Sequence, residues 1–173
     1  MHIKSLFILS FLLVLCACKK TQESNNELQN KESTQNKNIT DQDIAKLKYV
    51  EYILDAKIEK IVQDWPEYIQ LEDIIINAKK GDLEFFNDNK KVIQLLLKDL
   101  KKNVPKALHY ESILSRLLVL ETRLLKLESL LNLTTTTKEE TLENIKDFLE
   151  AFSNLNFQIN KKVEFNNRVI ERP

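Results

Sequence analysis

The sequence has little of the chemistry that makes turns. Among its 173 residues there is one glycine, Gly81, and there are three prolines. β-Sandwiches, barrels and α/β enzymes with glycine-rich loops need many more turn residues, so the composition argues strongly against them. A phosphate-binding loop is excluded as well, because it needs several glycines in a short segment. We therefore predict an all-helical protein with few, short connections.

Residues that carry catalysis or hold metals are also scarce. Both cysteines lie within the first 18 residues, and His109 is the only histidine after His2. Disulfides, thiol catalysis and thiolate metal sites are therefore not expected in the rest of the chain. There is no Glu-x-x-His pair of the kind used in di-iron bundles, and no nucleophile elbow. We expect His109 to be a surface residue, and the protein to be neither an enzyme nor a holder of a metal or cofactor.

The charges cancel, with 26 basic and 26 acidic residues. Without an excess of basic residues there is no electrostatic field to hold nucleic acid. Hydrophobic residues make up 43% of the chain and charged residues 30%, which is typical of a folded domain.

The first residues follow the plan of an export signal. Lys4 is followed by an apolar run from Leu6 to Leu15 and then by small or sulfur-containing residues. A basic start, a short apolar run and a small residue before the cleavage point are typical of a secretory signal peptide. The run is about half of the ~20 residues that a membrane-spanning helix needs, so a permanent helix is the weaker interpretation.

Leu15, Cys16, Ala17 and Cys18 resemble the lipobox of bacterial lipoproteins, in which an aliphatic, a variable and a small residue precede the modified cysteine. The resemblance covers the leader only. It implies a lipoprotein signal peptide over residues 1–17, cleavage before Cys18 and acylation of Cys18, and two or more acyl chains make such an anchor stable. Cys16 is the alternative lipidated residue, although no small residue precedes it. An ordinary signal peptide with an accidental cysteine is the other interpretation.

The same resemblance implies a place in the cell envelope. Lys19 follows the modified cysteine and is not an acidic retention signal, so we expect the outer membrane, on either its periplasmic or its outer face. Residues 19–39 are polar apart from Leu28 and Ile39 and cannot form a core. We predict that the lipidated cysteine and a disordered tether occupy residues 18–39.

From residue 40 on, apolar residues recur every three or four positions, as in helices that pack together. Thr40 followed by Asp43 predicts the start of a first helix. Its apolar stripe runs from Leu47 to Ile75 through Pro66, so we predict that this helix is kinked or split near Pro66.

Gly81, Pro105 and a run of threonines divide the remainder into three more helices, over about 82–103, 106–132 and 137–171. Thr137 followed by Glu140 predicts a capping box at the start of the last of these helices. The third has an unbroken apolar stripe and is predicted to be the most buried. Because the connections are short, we predict an up-and-down antiparallel four-helix bundle over residues 40–173. A long coiled-coil oligomer is the rival architecture.

Two pairs of residues are candidates for binding a protein. Tyr49 and Tyr52 fall opposite the apolar stripe of the predicted first helix, where aromatic side chains serve as partner anchors. Packing under the tether or a neighbouring helix is the equal alternative. Phe165 and Val169 lie off the main stripe of the last helix, where packing against the first helix is favoured over a partner patch.

Four polar residues are candidates either for binding a ligand or for fixing the register of the helices. Arg116 and Arg123 flank the stripe of the third helix, and interhelical ion pairs are favoured there over a clamp for a ligand carboxylate. Asn156 and Asn166 fall near the core face of the last helix. We expect them to be hydrogen-bonded within the core, with a ligand site as the minor alternative.

These patterns predict a lipid-anchored bacterial envelope protein that acts through protein contact, as a binding, structural or adaptor module. In its abundance of lysine, asparagine and isoleucine, the chain resembles helical envelope lipoproteins of genomes with low GC content. The alternative is a bundle that binds or senses a small ligand in a cavity between its helices. The first hypothesis predicts an exposed apolar patch, and the second predicts a measurable cavity.

Overall fold

A computed structural model describes residues 39–166, all of which belong to one compact unit. The signal peptide, Cys18, the rest of the tether up to residue 38, and Val169 lie outside this range. The described residues form six α-helices, which are α1 (Asp41–Ala45), α2 (Ala56–Val62), α3 (Pro66–Lys79), α4 (Lys90–Lys102), α5 (Glu111–Leu131) and α6 (Lys138–Asn166). Two single 3-10 turns, Glu84–Phe86 and Lys106–Leu108, precede α4 and α5. The all-helical class is thereby confirmed.

The region predicted as one long first helix contains three short ones. The break at Pro66 is one of the two predicted forms, since Pro66 opens α3 and Trp65 before it has a φ of −124°. The second break was not predicted. Residues 46–55, which we name the strap, are not helical. Val50, a predicted core position, is therefore exposed.

The later helices begin further along the chain than predicted. Asp88 has a positive φ of 52°, which is incompatible with a helix, and α4 starts only at Lys90. Thr137 and Glu140 form the predicted reciprocal cap at the start of α6, with backbone-to-side-chain hydrogen bonds of 3.0 and 3.1 Å. From there α6 continues for 29 residues to Asn166.

The core lies between α5 and α6, which pack together more extensively than any other pair of described helices. The apolar stripe predicted for α5 is fully buried through Ile113, Leu117, Leu120, Leu124 and Leu127. Trp65 closes the core from the α3 side and donates its indole N–H to the Leu100 carbonyl at 3.1 Å. A buried indole with a hydrogen-bond partner fixes how α3 and α4 pack.

The chain enters the core beside Gly81. Ile39, predicted as the last residue of the tether, is only 7% exposed, so the core begins there. Gly81 has a φ of +80°, and a β-carbon at this position would lie 3.0 Å from the carbonyl oxygen of Ile39. Glycine is therefore required on both conformational and steric grounds.

A second contact holds the entry point in place. Asp43 forms the predicted reciprocal cap with Thr40 and an ion pair of 2.7 Å with Lys138, the first residue of α6. These hydrogen bonds to Lys138 and Thr40 lower the pKa of Asp43 to about 2. The beginning of the helical domain, at α1, is therefore fixed to the amino end of α6.

Candidate functional site

The strap crosses α6, and side chains of that helix bind its backbone. Ser153 accepts a hydrogen bond from the Tyr52 N–H and donates one to the Val50 carbonyl, both at 2.7 Å. Asn160 donates to the Ile53 carbonyl at 2.7 Å and accepts from the Asp55 N–H at 3.1 Å. These bonds satisfy backbone groups that a helix would have satisfied internally, which explains why the strap is not helical.

Asn156 lies between these two residues on α6 and joins the strap to α3. Its amide nitrogen donates to the Tyr52 carbonyl at 3.1 Å, and its amide oxygen accepts from the Tyr68 hydroxyl at 2.7 Å. Burial, together with the charge of Glu72, raises the pKa of Tyr68, and the hydrogen bond to Asn156 opposes this rise. Ser153, Asn156 and Asn160 are spaced by three and four residues and so share one face of α6; we name them the α6 ladder.

A cleft of about 480 Å³ opens between the strap, α2, α3 and α6. Most of its side chains are apolar, and the floor is formed by core residues of α3 and α6. The apolar and aromatic lining residues are Tyr49, Tyr52, Ile53, Leu54, Val62, Ile69, Ile75, Ile76, Leu149 and Phe152.

The charged lining of the cleft is mostly acidic. Glu51 of the strap, Glu59 of α2 and Glu72 of α3 line it, together with one cation, Lys79. Lys79 forms an ion pair with Glu51, which links α3 to the strap. Burial, and then repulsion from Asp73 and Glu59, raises the pKa of Glu72. The carboxylates of the cleft are therefore incompletely neutralised.

The ion pair between Glu51 and Lys79 also lines a second, smaller cavity of about 310 Å³. That cavity extends towards α1 and is lined there by Ile44 of α1 and Leu47 of the strap. It shares Tyr49 with the cleft. The two cavities therefore meet at the ion pair.

Part of the apolar lining of the cleft is exposed at the protein surface. Ile53 of the strap is 76% exposed, and Tyr52, Ile69 and Ile76 are each more than a third exposed. These four residues form what we name the rim, and they stand on both sides of the cleft, on the strap and on α3. Neighbouring exposed apolar side chains at a concave site are typical of binding surfaces.

The two candidate tyrosines lie at the cleft, but not on a helix. The prediction that Tyr49 and Tyr52 share a helical face is wrong, because the α6 ladder holds the strap in a non-helical conformation. Tyr49 is half-buried, and burial followed by the charge of Glu51 raises its pKa. The ring of Tyr52 packs against that of Phe157 on α6, with the centroids 4.7 Å apart and the ring planes tilted by 41°.

Two further candidates, Phe165 and Asn166, lie outside the cleft lining. Phe165 is exposed near the end of α6, and the Lys162 ammonium lies 5.3 Å from its ring centroid and 4.2 Å from that of Tyr110. The prediction that Asn166 lies in the core is wrong, because this residue is exposed near the end of α6, where it donates to the Tyr110 hydroxyl at 2.8 Å. Val169, the partner predicted for Phe165, is outside the described residues.

The two arginines occupy different environments on α5. Arg123 forms an ion pair of 2.8 Å with Asp147 and so joins α5 to α6. Arg116 is exposed. Of the four polar candidates, Asn156 alone lines the cleft.

Sequence reasoning missed most residues of this site. Ser153 and Asn160 carry a detectable signal, since polar residues at positions 153, 156 and 160 recur at helical spacing beside the apolar stripe of an amphipathic helix. The carboxylates of the cleft carry no such sequence signal, because acidic residues are common on the exposed faces of helices.

Over residues 39–166, no group of three or more histidine, cysteine or acidic side chains is arranged to hold a metal ion. Within the same residues, none of the helices is both long and apolar enough to cross a membrane. Comparison with protein-family models, curated proteins and solved structures finds no match to this chain.

Proposed function

We propose that the protein is a lipid-anchored component of the bacterial envelope whose helical domain binds a partner protein at the cleft. The observation that carries this proposal is the combination of the cleft with its exposed apolar rim on two separate elements. The lipid anchor at Cys18 and the outer-membrane location rest on the leader sequence alone. The four longer helices, α3 to α6, are the natural candidates for the up-and-down four-helix bundle, with α1, the strap and α2 packed beside it.

The rim supports a protein partner because its four side chains are exposed at the mouth of the cleft. Ile53 is 76% exposed although it lines the cleft, so much of its apolar surface is open to a partner. A protein segment can cover both the cleft and the rim, and buried apolar anchors surrounded by a covered rim dominate binding energy in protein interfaces.

The role that we infer is binding and not catalysis. Ser153 and Asn156, the polar groups of the cleft floor, are already hydrogen-bonded to the strap and to Tyr68. A nucleophile needs a neighbouring base within hydrogen-bond reach, whereas Ser153 is engaged with backbone groups on both sides.

The lipid anchor is tested by labelling cells with an alkyne fatty acid. We expect label on the wild-type protein and on Cys16→Ser, and loss of both label and membrane association in Cys18→Ser. Label that survives in Cys18→Ser and disappears in Cys16→Ser would move the anchor to the alternative cysteine. Label in neither the wild type nor the variants would overturn the anchor.

The partner site is tested with a photo-crosslinking amino acid placed at Ile53, at Ile76 or, as a control, at Val92, which is exposed on α4. We expect one and the same protein to be captured from both rim positions and not from Val92. The captured protein, once purified, should bind the wild type and lose affinity for Ile76→Asp. Equal capture from Val92, or no protein common to the two rim positions, would overturn the proposal.

A small ligand is the second candidate, because the cleft volume falls within the ~300–1,000 Å³ that is typical of ligand pockets. Native mass spectrometry of protein purified from its own cells distinguishes the two. A bound small molecule that is lost in Ile76→Asp, together with no capture at the rim, would support the ligand hypothesis instead.

A further inference from the structure

We propose that the cleft accepts a basic side chain, lysine or arginine, from an extended segment of the partner protein, whose neighbouring apolar side chains cover the rim. This inference rests on the proposed function and adds the chemistry of the segment that is bound. It follows from the charges, the ion pair and the apolar surface of the cleft taken together.

The first argument is charge complementarity. Three carboxylates line the cleft and one ammonium opposes them, so the lining carries a net negative charge. Glu72 is half-buried and close enough to Glu59 and Asp73 for their charges to act on it. A cation placed among these carboxylates relieves their mutual repulsion, while an anion there would add to it.

The second argument is the position of the one cation. Lys79 is bound to Glu51 on the strap and thereby stands between the cleft and the smaller cavity. A partner's basic group can take the place of Lys79 beside Glu51, because both side chains of this pair are partly exposed. Its displacement would join the two cavities into one longer groove, which suits an extended segment better than a compact ligand.

The third argument concerns the residues next to the basic one. The rim offers apolar contacts on the strap side through Tyr52 and Ile53 and on the α3 side through Ile69 and Ile76. In an extended segment successive side chains point in alternate directions. A basic residue that enters the cleft therefore leaves its two neighbours directed to the rim, where large apolar side chains gain contact.

The test uses the purified full-length protein in a non-ionic detergent and three capped tripeptides. Each has isoleucine, a variable middle residue and phenylalanine, and the middle residue is arginine, glutamine or glutamate. Isotope-labelled methyl groups of Ile69 and Ile76 report binding by NMR, and Ile113, buried in α5, is the control reporter. We expect the arginine peptide to bind about fivefold more tightly than the glutamine peptide for each charge pair that it gains. The glutamate peptide should bind least.

Two variants carry opposite expectations. Replacement of Glu59 and Glu72 by glutamine should abolish the preference for arginine, whereas Lys79→Gln should strengthen it by removing the competing cation. The matched control changes Glu139 and Glu143, exposed on α6, to glutamine and should leave the preference unchanged.

The outcomes separate this inference from the proposed function. The inference that the cleft binds a basic side chain is wrong if the three peptides shift the rim methyl groups equally, or if the control pair of substitutions abolishes the preference for arginine. Neither result would contradict the proposal that a partner docks at the rim. If Lys79→Gln weakens binding of the arginine peptide, the inference that the partner's basic group replaces Lys79 beside Glu51 is wrong. If no peptide shifts the rim methyl groups, the inference fails, and the crosslinking experiment then decides the fate of the proposed function by itself.

Discussion

The hydroxyl of Tyr68 donates a hydrogen bond of 2.7 Å to the amide oxygen of Asn156, and the same amide holds the strap through its nitrogen. Asn156 is 4% exposed and Tyr68 is fully buried, so neither group has water as a replacement partner. One side chain therefore joins the strap, α3 and α6, and the shape of the cleft depends on it.

Asn156→Ala should destabilise the protein by about 1–3 kcal/mol, because it leaves the Tyr68 hydroxyl buried without an acceptor. Asn154→Ala, half-buried on the same helix, is the matched control and should have little effect. Urea unfolding measures both. If the hydrogen bond carries the effect, Asn156→Ala combined with Tyr68→Phe should cost less than the sum of the single changes. Strict additivity would contradict this explanation.

Leu124→Ala should destabilise the protein by about 2–5 kcal/mol, because Leu124 is fully buried on the core face of α5 and its truncation leaves a cavity. Leu118→Ala removes the same atoms from an exposed position of α5 and should change stability by less than about 0.5 kcal/mol. Both variants are measured by denaturant unfolding, and the dependence of the free energy of unfolding on denaturant concentration should stay the same. Similar values for the two variants would show that α5 does not bury the predicted stripe.

Glu72→Gln should stabilise the protein at pH 7. The folded state raises the pKa of Glu72, so the ionised carboxylate is penalised on folding, and the penalty appears as the pH rises above the ordinary value of 4.5. Because Glu72 is half-buried and water screens part of its charge, the gain should be about 0.5 kcal/mol or less. Thermal unfolding at several pH values should show this gain shrinking towards pH 4. A gain that does not depend on pH would point to a cause other than charge.

Asp43→Asn should destabilise the protein at neutral pH. The folded state lowers the pKa of Asp43 from 3.8 to about 2, so its ionised form stabilises the fold above pH 4 and this contribution is lost as the pH falls towards 2. Unfolding curves of the wild type and Asp43→Asn should therefore converge between pH 4 and pH 2. An NMR titration in which the Asp43 carboxyl titrates near 4 would contradict the assignment.

The sequence predicts those parts of the fold that depend on neighbouring residues. The stripe of α5, the caps at Thr40 and Thr137 and the break at Pro66 are local features, set by helix periodicity, side-chain caps and proline geometry. Each of them is present in the structure. Local physics suffices for these elements.

The strap could not be predicted in the same way. Its apolar residues have helical spacing, and its conformation is set by the α6 ladder, which lies 101 to 107 positions further along the chain. A pattern confined to ten residues contains no information about such distant partners. The cleft was missed for the same reason, because its walls are the strap and α3 and its floor belongs partly to α6.

This separation along the chain also orders the events of folding. A ribosome delivers the strap long before it delivers Ser153, Asn156 and Asn160, and closure of so long a loop precedes any gain from the contacts. The cap at the beginning of α1 and the turns of α5 join residues that are close together in the chain, so they can form without these distant partners. The hydrogen bonds that hold the strap can therefore be complete only after residue 160 has been synthesised, and a chain truncated before residue 153 would lack all of them.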